Sequence, residues 1–142
     1  GWPVVCFSGD GGFQMTEAEL ATAAIHKLPI KMFVMDNKYL GMVRQWQDMF
    51  YDKRYSCVDM VGNPDFVKLA EAYGIPGLRI KRSADAERII QKALEYNDGP
   101  ILIHCECEKE DNVFPMIPAG APITSMITEQ PKTQLEKPTG ST

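Results

Sequence analysis

Short apolar runs alternate along this chain with segments of helical period. Val4 to Phe7 is such a run, closed by Ser8-Gly9-Asp10-Gly11-Gly12, and it predicts a buried strand followed by a glycine-rich loop. The glycines there permit positive backbone angles and close approach of a ligand to the main chain. Thr16-Glu17-Ala18-Glu19 has the form of a capping box, with Thr16 as N-cap and Glu19 at N3. Leu20, Ala21, Ala24, Ile25 and Leu28 follow at helical spacing, and Pro29 stops the helix. About 12 helical residues span about 18 Å, close to the length of a strand of five or six residues. Lys31 to Met35 is therefore predicted to run parallel to the first strand, reached by a right-handed crossover.

Met42, Val43, Trp46, Met49 and Phe50 form an apolar stripe on a short helix within Tyr39 to Phe50, and on pattern alone the stripe reads as core packing. Residues 51–62 show no period and read as a loop. Asn63-Pro64-Asp65 predicts a helix start with Asn63 as N-cap and Pro64 at N1. Phe66, Leu69, Ala70 and Tyr73 supply its inner face, and Gly74 fits the C′ position. Leu78 to Ile80 reads as a short strand. Ser83 is expected to cap a helix that turns Ala86, Ile89, Ile90, Ala93 and Leu94 inward. Ile101 to Cys107 is the clearest buried strand. Strands alternating with helices predict an α/β fold with a mostly parallel sheet flanked by helices. The expected division is a domain over 1–118 and a Pro- and Thr-rich tail over 119–142, draped over another surface or disordered.

Composition narrows the function classes. The chain has 142 residues, 44% hydrophobic and 24% charged, as one globular domain requires. A net charge of −4 provides no electrostatic footprint for nucleic acid or an anionic membrane. No apolar run approaches the roughly 20 residues that span a bilayer, and no secretory leader is visible. Cys6, Cys57, Cys105 and Cys107 read as reduced thiols of a cytosolic type of protein. His104-Cys105-x-Cys107 lacks the spacing of a zinc knuckle. The first strand begins abruptly after Gly1, with nothing preceding to cover it, so the chain reads as part of something longer.

The candidate chemistry lies at two strand ends. Asp10 and Asn37 are 27 residues apart, the spacing of one crossover, so they are expected side by side at the carboxyl ends of neighbouring strands. A carboxylate with an amide oxygen is a hard, oxygen-only pair suited to Mg²⁺ or Ca²⁺. Two side chains leave an octahedron incomplete, and phosphate oxygens and water commonly complete it for Mg²⁺. The helix capped at Thr16 is expected to direct its positive end to the same place. Each turn by itself is also an ordinary strand exit, and that alternative stays open on the residues alone. A dinucleotide fingerprint fails, because Gly9-Asp10-Gly11-Gly12-Phe13-Gln14 lacks the third glycine, and no Gly-Lys-Ser/Thr follows for a Walker loop.

Gly9-Asp10-Gly11 and Asn37 at this interval resemble the cofactor motif of thiamine diphosphate-dependent enzymes. Leu40-Gly41-Met42-Val43-Arg44-Gln45-Trp46, Phe50-Tyr51, Asn63-Pro64-Asp65-Phe66, Ala72-Tyr73-Gly74 and Pro115-Met116-Ile117-Pro118-Ala119-Gly120 are similar to the catalytic subunit of acetolactate synthase (acetohydroxyacid synthase). The resemblance covers the chain to about Gly120 and implies a thiamine diphosphate-binding fold, truncated at its N-terminal side. Carried over by position, it makes Asp10 and Asn37 side-chain ligands of Mg²⁺, with the Tyr39 backbone carbonyl as a third. Gly11 and Gly12 would offer N–H groups to the diphosphate, and Lys38, Tyr39, Leu40, Gly41 and Met42 would wrap the cofactor. Val43 and Trp46 would line a channel for the second 2-oxo acid and for certain herbicides, with Ala119 in a segment folding over it. The reaction implied is attack of the cofactor's ylide on pyruvate, loss of CO₂, and addition of the carbanion to a second 2-oxo acid. The products, acetolactate or acetohydroxybutyrate, enter branched-chain amino acid biosynthesis.

Two residues depart from the resembled pattern. Position 12 is Gly where Ser is frequent, and position 36 is Asp where Asn is usual, which places an extra carboxylate beside the metal loop. The resemblance also implies that the activating glutamate belongs to a separate N-terminal domain, supplied across a dimer interface. It places the residue that bends the cofactor upstream and FAD in a middle domain. No catalytic residue is therefore expected in this chain, which alone is expected to be silent. The full-length protein is expected as a homodimer or higher oligomer, with a small regulatory subunit as a further partner, in the cytoplasm or an organelle. Uncovered apolar edges are expected to favour self-association. The alternatives are a related carboligase or decarboxylase, such as a glyoxylate or sulfoacetaldehyde enzyme, and a non-catalytic phosphate-binding module.

Overall fold

A computed structural model describes residues 2–129. The chain divides into two compact units, Gly1–Glu110 and Asp111–Thr142. The first contains four strands, β1 (Val4–Gly9), β2 (Ile30–Asp36), β3 (Gly77–Ile80) and β4 (Ile101–Glu106), in the order β1-β2-β4-β3. Every neighbouring pair is parallel. Its helices are α1 (Asp10–Gln14), α2 (Glu19–Ile25), α3 (Gly41–Phe50), α4 (Phe66–Ala72) and α5 (Ser83–Glu95). In the second unit, Met116 and Ile127 form an antiparallel bridge around a short 3₁₀ turn, Ile123–Ser125. The expectation for the tail beyond residue 129 lies outside the described residues.

Side-chain alternation along the strands divides the core into two layers. Val34 and Leu102 face one side, where Phe13 of α1, Leu20 of α2, and Phe66 and Ala70 of α4 pack. Phe33, Ile101, Ile103 and Cys105 face the other, under Ile89 and Ala93 of α5. The parallel α/β architecture expected from the alternating pattern is the one observed.

The first strand is not buried, contrary to the expectation from its apolar run. β1 is an edge strand, with Val4 57% and Phe7 69% exposed. On the second layer α5 sits on β3 and β4, which leaves Phe7 stacked on Phe33 at 5.0 Å beside an open groove of about 570 Å³. Val5 and Met35 line that groove with Ile90 and Leu94 of α5. The expectation of uncovered apolar faces is met here.

Helix starts also differ from the sequence reading, each for a local reason. The chain enters α1 directly at Asp10, so Asp10 to Gly12 form a helical first turn rather than a loop. Thr16 makes no capping box; α2 begins after Ala18 with no side-chain cap, and the Glu19 carboxylate accepts from the Thr22 hydroxyl instead. The Thr16 and Glu17 carbonyls accept from the Glu19 and Leu20 N–H groups, bonds that a side-chain cap would otherwise supply. α4 is capped by Asp65, whose Oδ1 accepts from Val67 N–H at 3.1 Å and Lys68 N–H at 3.3 Å. Asn63, the expected cap, is used elsewhere. α5 takes Ser83 as its first helical residue, with Arg82 at the cap position. The α4 terminus is as predicted: Gly74 has φ +73, its N–H reaches the Glu71 carbonyl, and Ile75 N–H reaches that of Ala70.

Candidate functional site

The register Gly9↔Met35 brings the ends of β1 and β2 level, so Asp10 begins α1 beside Asp36 and the 37–40 turn. Both carboxylates are 2% exposed. Two donors bind them together. Lys38 N–H donates to Asp10 Oδ2 at 3.1 Å and to Asp36 Oδ1 at 3.3 Å. Asn63 Nδ2 donates to the same two oxygens at 2.6 and 3.0 Å. Lys38 also pairs its ammonium with Asp36 Oδ2, and His104 Nε2 lies 2.7 Å from that oxygen.

The turn after β2 is held in an uncommon conformation. Lys38 has φ +63, a left-handed backbone that costs a residue with a side chain about 1–2 kcal/mol. Its N–H, its ammonium and the Met60 N–H bond to its carbonyl at 2.8 Å offset that cost. Asn37 Oδ1 accepts from Tyr39 N–H at 3.1 Å, and Leu40 N–H donates to the Val58 carbonyl at 2.9 Å. Residues 58–60 of the loop thus clamp the turn from its far side.

None of Gly9, Gly11 and Gly12 adopts a positive φ, and of the three Gly11 alone serves close approach. A Cβ at Gly11 would lie 2.5 Å from Leu40 Cδ2. Gly11 and Gly12 fall in the first turn of α1, where backbone N–H groups lack helical acceptors. At position 12 a Cβ would meet only Ser8 Oγ, at 3.5 Å, so a serine fits there as well as glycine.

Electrostatics separate the two acids. Burial raises the Asp10 pKa above its ordinary value, against the bond from Asn63, and proximity to Asp36 adds to the rise. Burial acts in the same direction on Asp36, but the bonds from Lys38 and His104, with those of Asp10 and Asn63, outweigh it and bring the pKa to about 2. Asp36 is therefore a fully committed anion, whereas ionised Asp10 is a charge its surroundings disfavour and a cation would relieve. The residue that looked like a spare metal carboxylate is neutralised within the chain.

Because its folded pKa lies below the ordinary 3.8, Asp36 contributes stability above about pH 4 that is lost as pH falls toward about 2. The stability difference between the wild type and Asp36→Asn is expected to be constant above that window and to shrink through it, read by urea unfolding at stepped pH. A difference that persists unchanged to pH 2 would refute the assignment.

α3 leaves the turn with its polarity inverted relative to the core-packing expectation. Arg44 and Gln45 are buried, while Met42 and Val43 are half exposed. The Arg44 guanidinium stacks 5.1 Å from the Tyr39 ring and 5.5 Å from Tyr55, which lets the cation face inward on aromatic surfaces. The apolar side then borders a cleft of about 680 Å³ lined by Met42, Val43, Trp46, Gln47, Tyr51 and Arg54. Trp46 is braced edge-on by Phe50 at 5.3 Å.

The expected site residues therefore assemble around one turn: Asp10 bonds Lys38, Gly11 abuts Leu40, and the Gly41 Cα side faces the Asn37 amide, where a Cβ would come within 3.2 Å of Nδ2. Val43 and Trp46 share the cleft. Ala119 is exposed in a turn of the second unit. His104 and Cys105 point to opposite faces of β4, since His104 packs on Phe66 at 5.3 Å and Cys105 joins the α5 layer, so they offer no common ligand set. Residues missed in the sequence are Asn63, Gln14 and the pairing of Asp36 with His104. One signal was available: Asn63-Pro64-Asp65 holds two cap-competent residues where a helix needs one.

A hard, oxygen-only set of donors at a pair of strand ends, with the first-turn N–H groups of α1 beside it, fits a metal-bound phosphate group. Comparison with known proteins points to a cofactor that carries a diphosphate. The family described as "Thiamine pyrophosphate enzyme, C-terminal TPP binding domain" matches residues 1–105. The acetolactate synthase isozyme 2 large subunit of Escherichia coli is 44% identical over 124 residues, covering 87% of this chain and 22% of that protein. The acetolactate synthase of Mycobacterium avium is 47% identical over 121 residues, covering 82% and 20%. Among solved structures, a thiamine diphosphate-dependent 4-hydroxybenzoylformate decarboxylase of Rhodococcus jostii superposes with a TM-score of 0.69 at 27% identity, covering 77% of this chain and 20% of that one. The chain thus spans about a fifth of the length of these relatives, and it belongs to the thiamine pyrophosphate enzyme family as a C-terminal cofactor-binding domain.

Proposed function

We propose that this chain is the cofactor-binding part of a thiamine diphosphate-dependent acetolactate synthase, which joins decarboxylated pyruvate to a second 2-oxo acid for branched-chain amino acid biosynthesis. The observation that carries this reading is continuity: the turn that carries Asn37 and the Tyr39 carbonyl beside Asp10 leads without interruption into α3, whose Met42, Val43 and Trp46 border the cleft. Identity of 44–47% to acetolactate synthases supports it.

In this reading Asp10, Asn37 and the Tyr39 carbonyl hold Mg²⁺, and the Gly11 and Gly12 N–H groups meet the diphosphate. Lys38 to Met42 wrap the cofactor. The cofactor, when bound, supplies the electron sink that lets a 2-oxo acid lose CO₂. The chain's own residues orient it and keep water from the cleft: Val43 and Trp46 present apolar surface to the second oxo acid. The activating glutamate, FAD, the dimeric or higher assembly and a small regulatory subunit belong to the full-length protein, in the cytoplasm or an organelle.

The full-length protein with pyruvate, Mg²⁺ and thiamine diphosphate is expected to form acetolactate, and the isolated 142-residue chain none. Acetaldehyde as the sole product, by gas chromatography, would favour a decarboxylase. Acetolactate formed by the chain alone would refute the dependence on parts beyond it.

A further inference from the structure

Asn63 stands 53 residues from Asp10 in sequence, yet its side chain makes the shortest bond to that carboxylate, 2.6 Å from Nδ2 to Oδ2. The same nitrogen donates to Asp36 Oδ1 at 3.0 Å, so both hydrogens of one amide are used on two buried acids. Its own oxygen accepts from Gln14 Nε2 at 2.7 Å, and the Gln14 amide also lies 3.4 Å from the Asp10 carbonyl. That contact fixes which way the amide faces: Gln14 requires Oδ1 on its side, which leaves Nδ2 for the carboxylates. Three elements meet at this side chain, the ends of β1 and β2 and the approach to α4.

We propose that Asn63 is a positioning residue for the metal-binding carboxylate Asp10, holding it beside the 36–38 turn in the orientation that a divalent cation and its phosphate require.

The physical argument rests on what would happen without it. Asp10 and Asp36 are like charges at neighbouring strand ends, both buried, and among the described residues two donors bridge them: the Lys38 N–H and the Asn63 amide. The Lys38 bonds are longer, at 3.1 and 3.3 Å, and belong to a backbone held at φ +63. Removing the shorter and better-placed donor leaves Asp10 free to rotate away from Asp36, so the cation site must be reassembled at each binding event. The capping of α4 does not require Asn63, because Asp65 supplies it through two bonds of its own. An asparagine whose local role is taken by its neighbour is thus released for work at a distance. Groups that orient a metal ligand from behind typically contribute about 10–100-fold in metal affinity.

This inference rests on the reading of Asp10 as a magnesium ligand, and the experiment separates the two. In the full-length protein, binding of thiamine diphosphate is followed by quenching of tryptophan fluorescence while Mg²⁺ is titrated. Asn63→Ala is expected to raise the half-saturating Mg²⁺ concentration about 10-fold or more, with the turnover number at saturating Mg²⁺ within about twofold of wild type. Asp65→Ala, which removes the cap of the same helix and touches neither acid, is expected to lower the thermal midpoint without moving the Mg²⁺ titration. Gln14→Ala, which releases the tether on Asn63 while keeping Asn63, is expected to move it in the same direction by a smaller factor. If Asn63→Ala does not fold, Gln14→Ala decides. A Mg²⁺ titration unchanged in Asn63→Ala, or in Gln14→Ala where it must decide, overturns the positioning role while leaving the cofactor reading intact. A shift as large in Asp65→Ala also overturns it, because the effect would then belong to the stability of α4. Wild-type protein whose thiamine diphosphate binding ignores Mg²⁺ overturns both.

Discussion

Asp10→Ala in the full-length protein is expected to abolish Mg²⁺-dependent binding of thiamine diphosphate while leaving the fold standing. The loss should exceed the about 10–100-fold that supporting partners of metal ligands contribute, since Asp10 is read as a ligand itself. The fold should survive because neither donor is orphaned: Lys38 N–H and Asn63 Nδ2 both keep Asp36 Oδ1 as an acceptor. Burial already disfavours the Asp10 charge, so its removal also takes away an unfavourable group. Calorimetry with the cofactor and Mg²⁺, set beside a thermal melt of the apoprotein, reads both halves. Retained metal-dependent binding, or a melt that collapses with the binding, would refute the separation of roles.

Phe66→Ala carries the largest expected cost to stability. Phe66 is 0% exposed, opens α4, and meets Phe13 edge-on at 5.6 Å and His104 at 5.3 Å. Truncating a buried phenylalanine typically costs about 3–5 kcal/mol, set against about 5–15 kcal/mol for a whole domain. The groove beside β1 implies a domain with little in reserve, so the variant is expected to unfold at markedly lower urea, with Phe66→Leu intermediate. The site should weaken in step, since His104 buttresses Asp36 from the same packing. An unfolding free energy within about 0.5 kcal/mol of wild type, the range of ordinary surface changes, would show that the aromatic cluster is not the keystone it looks like.

Much of the architecture was legible in the chain. Apolar runs at Val4, Lys31, Leu78 and Ile101 became parallel strands, and Gly74 ended α4 as its position implied. Period and punctuation are local properties, set by side-chain alternation and by what glycine and proline allow. That the ends of β1 and β2 lie side by side was legible for a related reason: one crossover has nearly fixed length, so sequence spacing converts to adjacency of strand ends.

Other features followed no local rule. A four-residue apolar run cannot say whether a sheet places it at the centre or the edge, and β1 lies at the edge. Periodicity marks which residues of α3 share a side, not which side faces inward; two aromatic rings around Arg44 settled that against hydrophobicity. Capping signals at Asn63 and Asp65 competed within one helix start, and the choice was made by two acids 27 and 53 residues away.

The sequence by itself determined the fold class, the strand ends that carry hard oxygen donors, and the family resemblance, because each depends on residue types at short or fixed spacing. Only the tertiary structure decided that Asp36 is spent on Lys38 and His104, that Asn63 reaches Asp10, and that the Trp46 face of α3 borders a cleft. Those outcomes depend on which distant groups share one buried volume, where an unpaired charge is too costly to leave alone.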